Sequence, residues 1–161
     1  MRKEGIRAIP RENAPRYMRD CARKPALSEE EIVAGSSFFR AWSDATPADG
    51  CAVFSHEDLA GNPFDGYRNA PAFAAALRRM TGDTPVTVIV YLRRQDRFVE
   101  SFYNMRIREG GSESFPEYLA TRIASEHLDW HRLVGDFADV FGRENVVARR
   151  YGEAFLPGTQ S

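Results

Sequence analysis

The chain has 161 residues, enough for one domain with a buried core. Hydrophobic residues make up 43% and charged residues 28%, and the formal net charge of -1 gives no global basic signal for nucleic acid. Two cysteines, Cys21 and Cys51, cannot form a disulfide framework; no His/Cys/Asp spacing suggests a metal site, and no apolar stretch reaches transmembrane length.

The basic residues are skewed. Only Lys3 and Lys24 are lysines, and the other 20 are arginines. Codon bias accounts for such a skew, so arginine richness alone carries little weight. The opening "MRKEGIRAIPREN" is charged and has no apolar signal core. With free thiols besides, the expectation is a cytoplasmic protein.

Taken in order, residues 1–27 read as an irregular basic lead-in, broken by Pro10, Pro15 and Pro25, with room for a short helix over 14–23. "SEEE" at 28–31 is a capping box, with Ser28 as cap and Glu31 three residues later. The helix it starts runs to about Asp44, with Ile32, Phe38, Phe39 and Trp42 near its apolar face. "CAVFS" at 51–55 reads as a short buried strand. "HEDLAGNPFDGYRN" is a loop, 70–80 a helix and "TGDT" a turn.

"PVTVIVYL" at 85–92 is the best strand, apolar on both faces as a central parallel strand would be. From about Asp96 to Glu109, Phe98, Phe102 and Met105 keep helical spacing, and Gly110–Gly111 stops them. A second capping box, "SFPE" at 114–117, starts a helix to about Glu126. Asp129 caps a last helix over 130–141, ended by Gly142, and "NVVARRY" at 145–151 is a final strand.

Strands alternating with helices predict an α/β fold: three layers, a mostly parallel sheet with helices on both faces. Three strands make a thin sheet for that architecture. The expectation is therefore a single partial domain cut at both ends, with a 28–153 core and a 154–161 tail. Such a cut would expose a sheet edge and invite self-association.

In open α/β sheets, ligands bind beyond the carboxyl ends of the strands. Arg93 and Arg94 sit at that end of the 85–92 strand, and the next helix starts a few residues on. A helix N-terminus offers free N–H groups and partial positive charge. Arginine adds a planar fork suited to phosphate oxygens. Ser101 lies eight positions after Arg93, and helical side chains lean back toward the N-terminus. An anion site is one reading. An arginine-rich surface is the other, and the commoner one.

An arginine at a strand tip followed by serine eight residues later resembles the sulfotransferase signature for the 3′-phosphate of PAPS, the sulfate donor. The likeness extends through "VYLRRQDRFVESFYNMRIREG", "SFPEYL" and "LDWHRLVGDFADVFGRENVVARRYGE", which together look like bacterial sulfotransferase-family proteins. It covers about residues 51–153 and is most specific over 91–151. The resemblance implies a fold like that of P-loop NTPases. It implies Arg93 and Ser101 as the 3′-phosphate ligands, and an acidic residue beyond the second strand as the base for a hydroxyl acceptor. "FSHEDL" puts Glu57 there, with His56 beside it. The alternative is that both are loop polars capping the next turn. Gln95 and Tyr103 match the local pattern without an implied ligand role. His127 and His131 flank a helix start and read as solvated or capping.

The family also uses a glycine-, lysine- and serine/threonine-bearing loop after its first strand, whose N–H groups and lysine hold the 5′-phosphosulfate. Lys3 has no room for a strand before it, Lys24 sits in "ARKPALS" without glycine, and "GNPFDG" carries no lysine. The expectation is therefore a truncated sulfotransferase domain. Its full-length relative moves a sulfuryl group to a hydroxyl, a carbohydrate one among the candidates. The chain alone is expected to be inactive, with at most weak nucleotide affinity. The partners expected are the nucleotide donor and the hydroxyl acceptor, with no nucleic acid, no membrane span and no metal. Two rival readings stand beside it: a non-catalytic remnant acting as a nucleotide-binding or protein-interaction module, and an unrelated α/β phosphate binder.

Overall fold

The computed structural model describes residues 14–122 and 128–152. Its regular elements are α1 (Ala14–Ala22), α2 (Glu29–Asp44), α3 (Ala70–Thr81), β1 (Val88–Leu92), α4 (Gln95–Arg108), α5 (Phe115–Arg122), α6 (Trp130–Phe141) and β2 (Val146–Arg150).

The helix starts follow from side-chain caps. Ser28 Oγ accepts from the Glu31 N–H at 3.3 Å, and the Glu31 carboxylate accepts from the Ser28 N–H at 2.9 Å, the reciprocal box the spacing predicts. Asp129 accepts from the N–H groups of His131 and Arg132 at 2.9 and 3.2 Å, so His131 enters the cap through its backbone. At Ser114 only half of the box forms. Glu117 accepts from the Ser114 N–H and also from its hydroxyl, so that oxygen donates instead of capping. The end of the helix expected to reach Glu126, and His127, lie outside the described residues.

The core is helical. Ile32, Gly35 and Phe38 form the buried stripe of α2, facing α3. A Cβ on Gly35 would meet Met80 Cγ and Cε at 2.8 Å, so the missing side chain is what lets α2 and α3 approach. Phe73, Leu77 and Met80 of α3 meet Leu133 and Phe137 of α6 in the same cluster. Met18, Cys21 and Ala22 join it from α1, at helical spacing, and burial pushes the Cys21 thiol up. The short helix for which 14–23 had room is present as α1, and it belongs to the core.

The strand expected at 51–55 is absent; these residues run without regular structure. Phe54 alone turns inward, against Phe38, Phe39 and Trp42, with ring centroids 5.2 to 5.8 Å apart. Cys51, Ala52 and Val53 are exposed, Val53 at 74%. One half-buried ring anchors the segment, and among the described residues no neighbouring strand completes a ladder with it.

Among the described residues the sheet therefore has two strands. They are parallel, in register from Val88↔Val146 to Leu92↔Arg150, and joined by a crossover through α4, α5 and α6. β1 begins three residues later than expected, at Val88. Val88 packs on the helical core, but Ile89 and Tyr91 are 59% and 53% exposed. Helices thus leave one face of β1 open among the described residues, where the all-apolar run had suggested cover on both.

Asn69 ties three segments together. Its carbonyl oxygen accepts from the Asn62 N–H at 2.9 Å, and its amide donates to Ala22 O and Lys24 O at 2.7 and 2.8 Å. Gly61, at φ 104°, passes so close that a Cβ there would lie 2.7 Å from that carbonyl oxygen. Asn69→Ala removes all three bonds and leaves partly buried backbone groups unpaired. The expected loss is about 2 kcal/mol. Urea unfolding would report it as a lower midpoint with an unchanged slope.

Candidate functional site

β1 ends at Leu92, and α4 starts at Gln95 with Arg94 at its N-cap. Three arginines crowd this tip, and they differ in what they already hold. Arg94 makes a two-pronged pair with Asp96, Nε to Oδ1 at 3.2 Å and Nη2 to Oδ2 at 2.9 Å. The Arg97 N–H, then the Arg94 and Arg97 charges, hold the Asp96 carboxyl below its usual range. Arg97 pairs with Glu100 at 2.9 Å. Arg93 has no carboxylate partner among the described residues; its guanidinium lies over the ring of Tyr151, 5.6 Å from the centroid. Of the three, Arg93 is the one whose fork is not engaged by a carboxylate among the described residues.

The backbone of Arg93 is held as well. Its carbonyl accepts from Trp130 Nε1 at 2.6 Å, across 37 residues of sequence. Gln95 donates to Leu128 O at 2.6 Å and Tyr103 to Glu113 O at 3.0 Å. The two residues that matched the motif pattern without an implied ligand role thus fasten α4 to the segments around it. Ser101 is half-buried on the second turn of α4, one turn beyond Phe98.

His56 and Glu57 stand apart from that tip in sequence, at the start of a 3-10 turn over Glu57–Ala60. This turn packs against α1 and α3. Glu57 is exposed. His56 caps the turn, its Nδ1 lying 3.2 Å from the Asp58 nitrogen. The same Nδ1 lies 3.2 Å from Asp58 Oδ2. Asp58 is the buried charged residue of the described core, at 5% exposure, and its Oδ2 makes no hydrogen bond among the described residues. Nothing in "FSHEDL" singles out Asp58 over Glu57; only the two-residue spacing from His56 hinted at a pairing.

Tyr67 lies between the two places. Its φ of 62° is rare for a bulky residue, and its backbone is locked by bonds from its N–H to Asn62 O and from the Ala70 N–H to its carbonyl, at 2.8 and 2.9 Å. The ring packs on Phe98 and Trp130, with centroids 5.9 and 6.1 Å away. Burial first, then the carboxylates of Asp58 and Glu57, holds its phenol well above the usual range. Tyr67 thus connects the carboxylates of the 3-10 turn to Trp130, whose indole grips the Arg93 carbonyl. A loop tyrosine has no periodicity that would betray this bridge in the sequence.

Lys24 is engaged by Glu31 beside the end of α1, while Lys3 lies outside the described residues. Among the described residues no group of three or more His, Cys, Asp or Glu side chains could hold a metal, and no helix is long and apolar enough to cross a membrane. In comparisons with family models, curated proteins and solved structures, none matches the chain.

Proposed function

We propose that this chain is a sulfotransferase-like domain carrying the 3′-phosphate half of a PAPS site. The reading includes the finer architecture, a P-loop-NTPase-like sheet layered between helices, and a cytoplasmic setting. Arg93 binds the 3′-phosphate, and Ser101 adds a hydroxyl from α4. Glu57 and His56 supply the base for a hydroxyl acceptor. The observation that carries the reading is the free fork of Arg93 at the carboxyl end of a parallel strand, where the neighbouring Arg94 and Arg97 are engaged by carboxylates.

The 161 residues contain no loop joining glycine, lysine and serine or threonine to grip the 5′-phosphosulfate. Charge developing on the leaving phosphate would then lack the donors that make such a transfer fast. Calorimetry with 3′,5′-ADP is expected to show weak binding, and a sulfate-transfer assay with PAPS no turnover. Robust turnover by the purified chain overturns the expected inactivity, and absence of 3′,5′-ADP binding overturns the nucleotide site. A second reading, a non-catalytic interaction module, is favoured by exposed Ile89 and Tyr91 on β1. It predicts a concentration-dependent mass in light scattering.

A further inference from the structure

Two short segments, far apart in sequence, grip each other at the tip of β1. The Gln95 side-chain amide donates to the Leu128 carbonyl, and the Trp130 indole N–H donates to the Arg93 carbonyl, each at 2.6 Å. Leu128 is buried with Val99 and Tyr118, so the segment that carries Trp130 is itself anchored. Rings place the indole: Phe98 stands edge-on to it at 5.2 Å, and Tyr67 lies at 6.1 Å. Phe98 belongs to α4 and Trp130 opens α6, so two helices fix the donor that meets the carbonyl.

What this bond does follows from peptide geometry. A peptide group is planar, and a residue's φ and ψ are the rotations that relate the two planes flanking it. The plane before Arg93 is held at the Leu92 carbonyl, which accepts from the Tyr151 N–H at 2.8 Å. The plane after it is held at the Arg93 carbonyl by Trp130. With both planes anchored, the direction of the Arg93 Cα–Cβ bond is set. The side chain leaves the backbone on a fixed heading, and its guanidinium comes to lie over the Tyr151 ring.

We propose that Trp130 is a positioning residue for Arg93: its indole N–H fixes the peptide that follows Arg93 and so aims the guanidinium. The aim stands on the geometry alone; its use in gripping a 3′-phosphate rests on the PAPS reading. In that use, an arginine already aimed gives up less freedom when the anion arrives, and binding is tighter for it. A tryptophan with only a packing role would need its rings and not its N–H. Trp130→Phe separates the two roles, because it keeps an aromatic ring beside Phe98 and Tyr67 and removes the donor.

The Arg93 side-chain protons report the aim without any ligand. In NMR spectra of the full, isotopically labelled chain they are expected upfield of their usual positions, shifted by the Tyr151 ring beneath them. In Trp130→Phe they are expected to move back toward those positions, while the melting temperature changes by no more than a few degrees. Arg93 signals that are the same in both proteins overturn the proposal. In the unmodified chain, the Trp130 indole proton is expected to shift little with temperature, as an internally bonded proton does. A temperature dependence as steep as that of an indole bonded to water also overturns the proposal, and that measurement needs no variant to fold. Titration with 3′,5′-ADP then reads the use of the aim. Binding roughly 3- to 10-fold weaker in Trp130→Phe is expected, the worth of about one hydrogen bond. Equal affinity in the two proteins counts against the positioning role. Absence of binding by the unmodified chain defeats the PAPS reading and leaves the ligand-free spectra to judge the aim on their own.

Discussion

On the proposed reading, Arg93→Ala is expected to abolish measurable binding of 3′,5′-ADP, while Arg94→Ala is expected to leave it close to unchanged. The contrast follows from what each guanidinium holds. Arg94 is already bonded twice to Asp96, whereas among the described residues the Arg93 guanidinium rests on the Tyr151 ring. A charge-assisted hydrogen bond contributes about 1.5–3 kcal/mol, so losing a two-pronged phosphate contact costs about 3–6 kcal/mol. That is a loss of roughly 100-fold or more in affinity, enough to push a weak ligand out of calorimetric range. The substitution spares the local frame, because Trp130 is bonded to the Arg93 backbone carbonyl and not to its side chain. Equal affinity in Arg93→Ala and the unmodified chain would remove the site assignment.

Phe38→Ala is the substitution expected to damage the fold most. Phe38 is 1% exposed and touches the rings of Phe39, Trp42 and Phe54. With Phe39 and Trp42 it also holds down the 51–56 segment, which lacks regular structure and has Phe54 as its inward anchor. Truncating a buried phenylalanine costs about 3–5 kcal/mol. For a chain of this length the melting temperature should fall by roughly 6–20 °C. Calorimetric or circular-dichroism melts would show it, and a shift under a few degrees would mean that the aromatic cluster is not the centre of the core. Val53→Ala, two residues from the start of the same segment, should change little, because Val53 lies in solvent.

The helices were legible because their signals are local. Ser28 with Glu31, Asp129, and Gly142 each mark a boundary within a few residues of chain, and each boundary is where the structure has it. The misread strand shows the limit of the same method. "CAVF" has the composition of a buried strand, but a strand exists only if another strand lies alongside, and that is not written in the four residues. Run length likewise carried the 85–92 strand three residues too far toward Pro85, which has no N–H for a ladder. The places of Arg93 and Ser101 were legible because one follows a strand and the other occupies a helix. Asp58 and Tyr67 were not, since their burial comes from α1, α3, Phe98 and Trp130, all distant in sequence. Polar residues in a loop look solvated until the fold closes over them.

The pairing of Val88 with Val146 has a consequence in time as well as in space. Contacts among α1, α2 and α3 form between near neighbours in the chain. The β1–β2 ladder must close a loop that contains three helices, and such long closures come late in folding. Tyr151, which receives the Arg93 guanidinium, arrives only with β2. The tip that carries Arg93 is thus assembled at the end of folding, by the pairing of β1 with β2. A ligand that binds only the finished tip would reward that last step and draw the whole folding equilibrium behind it.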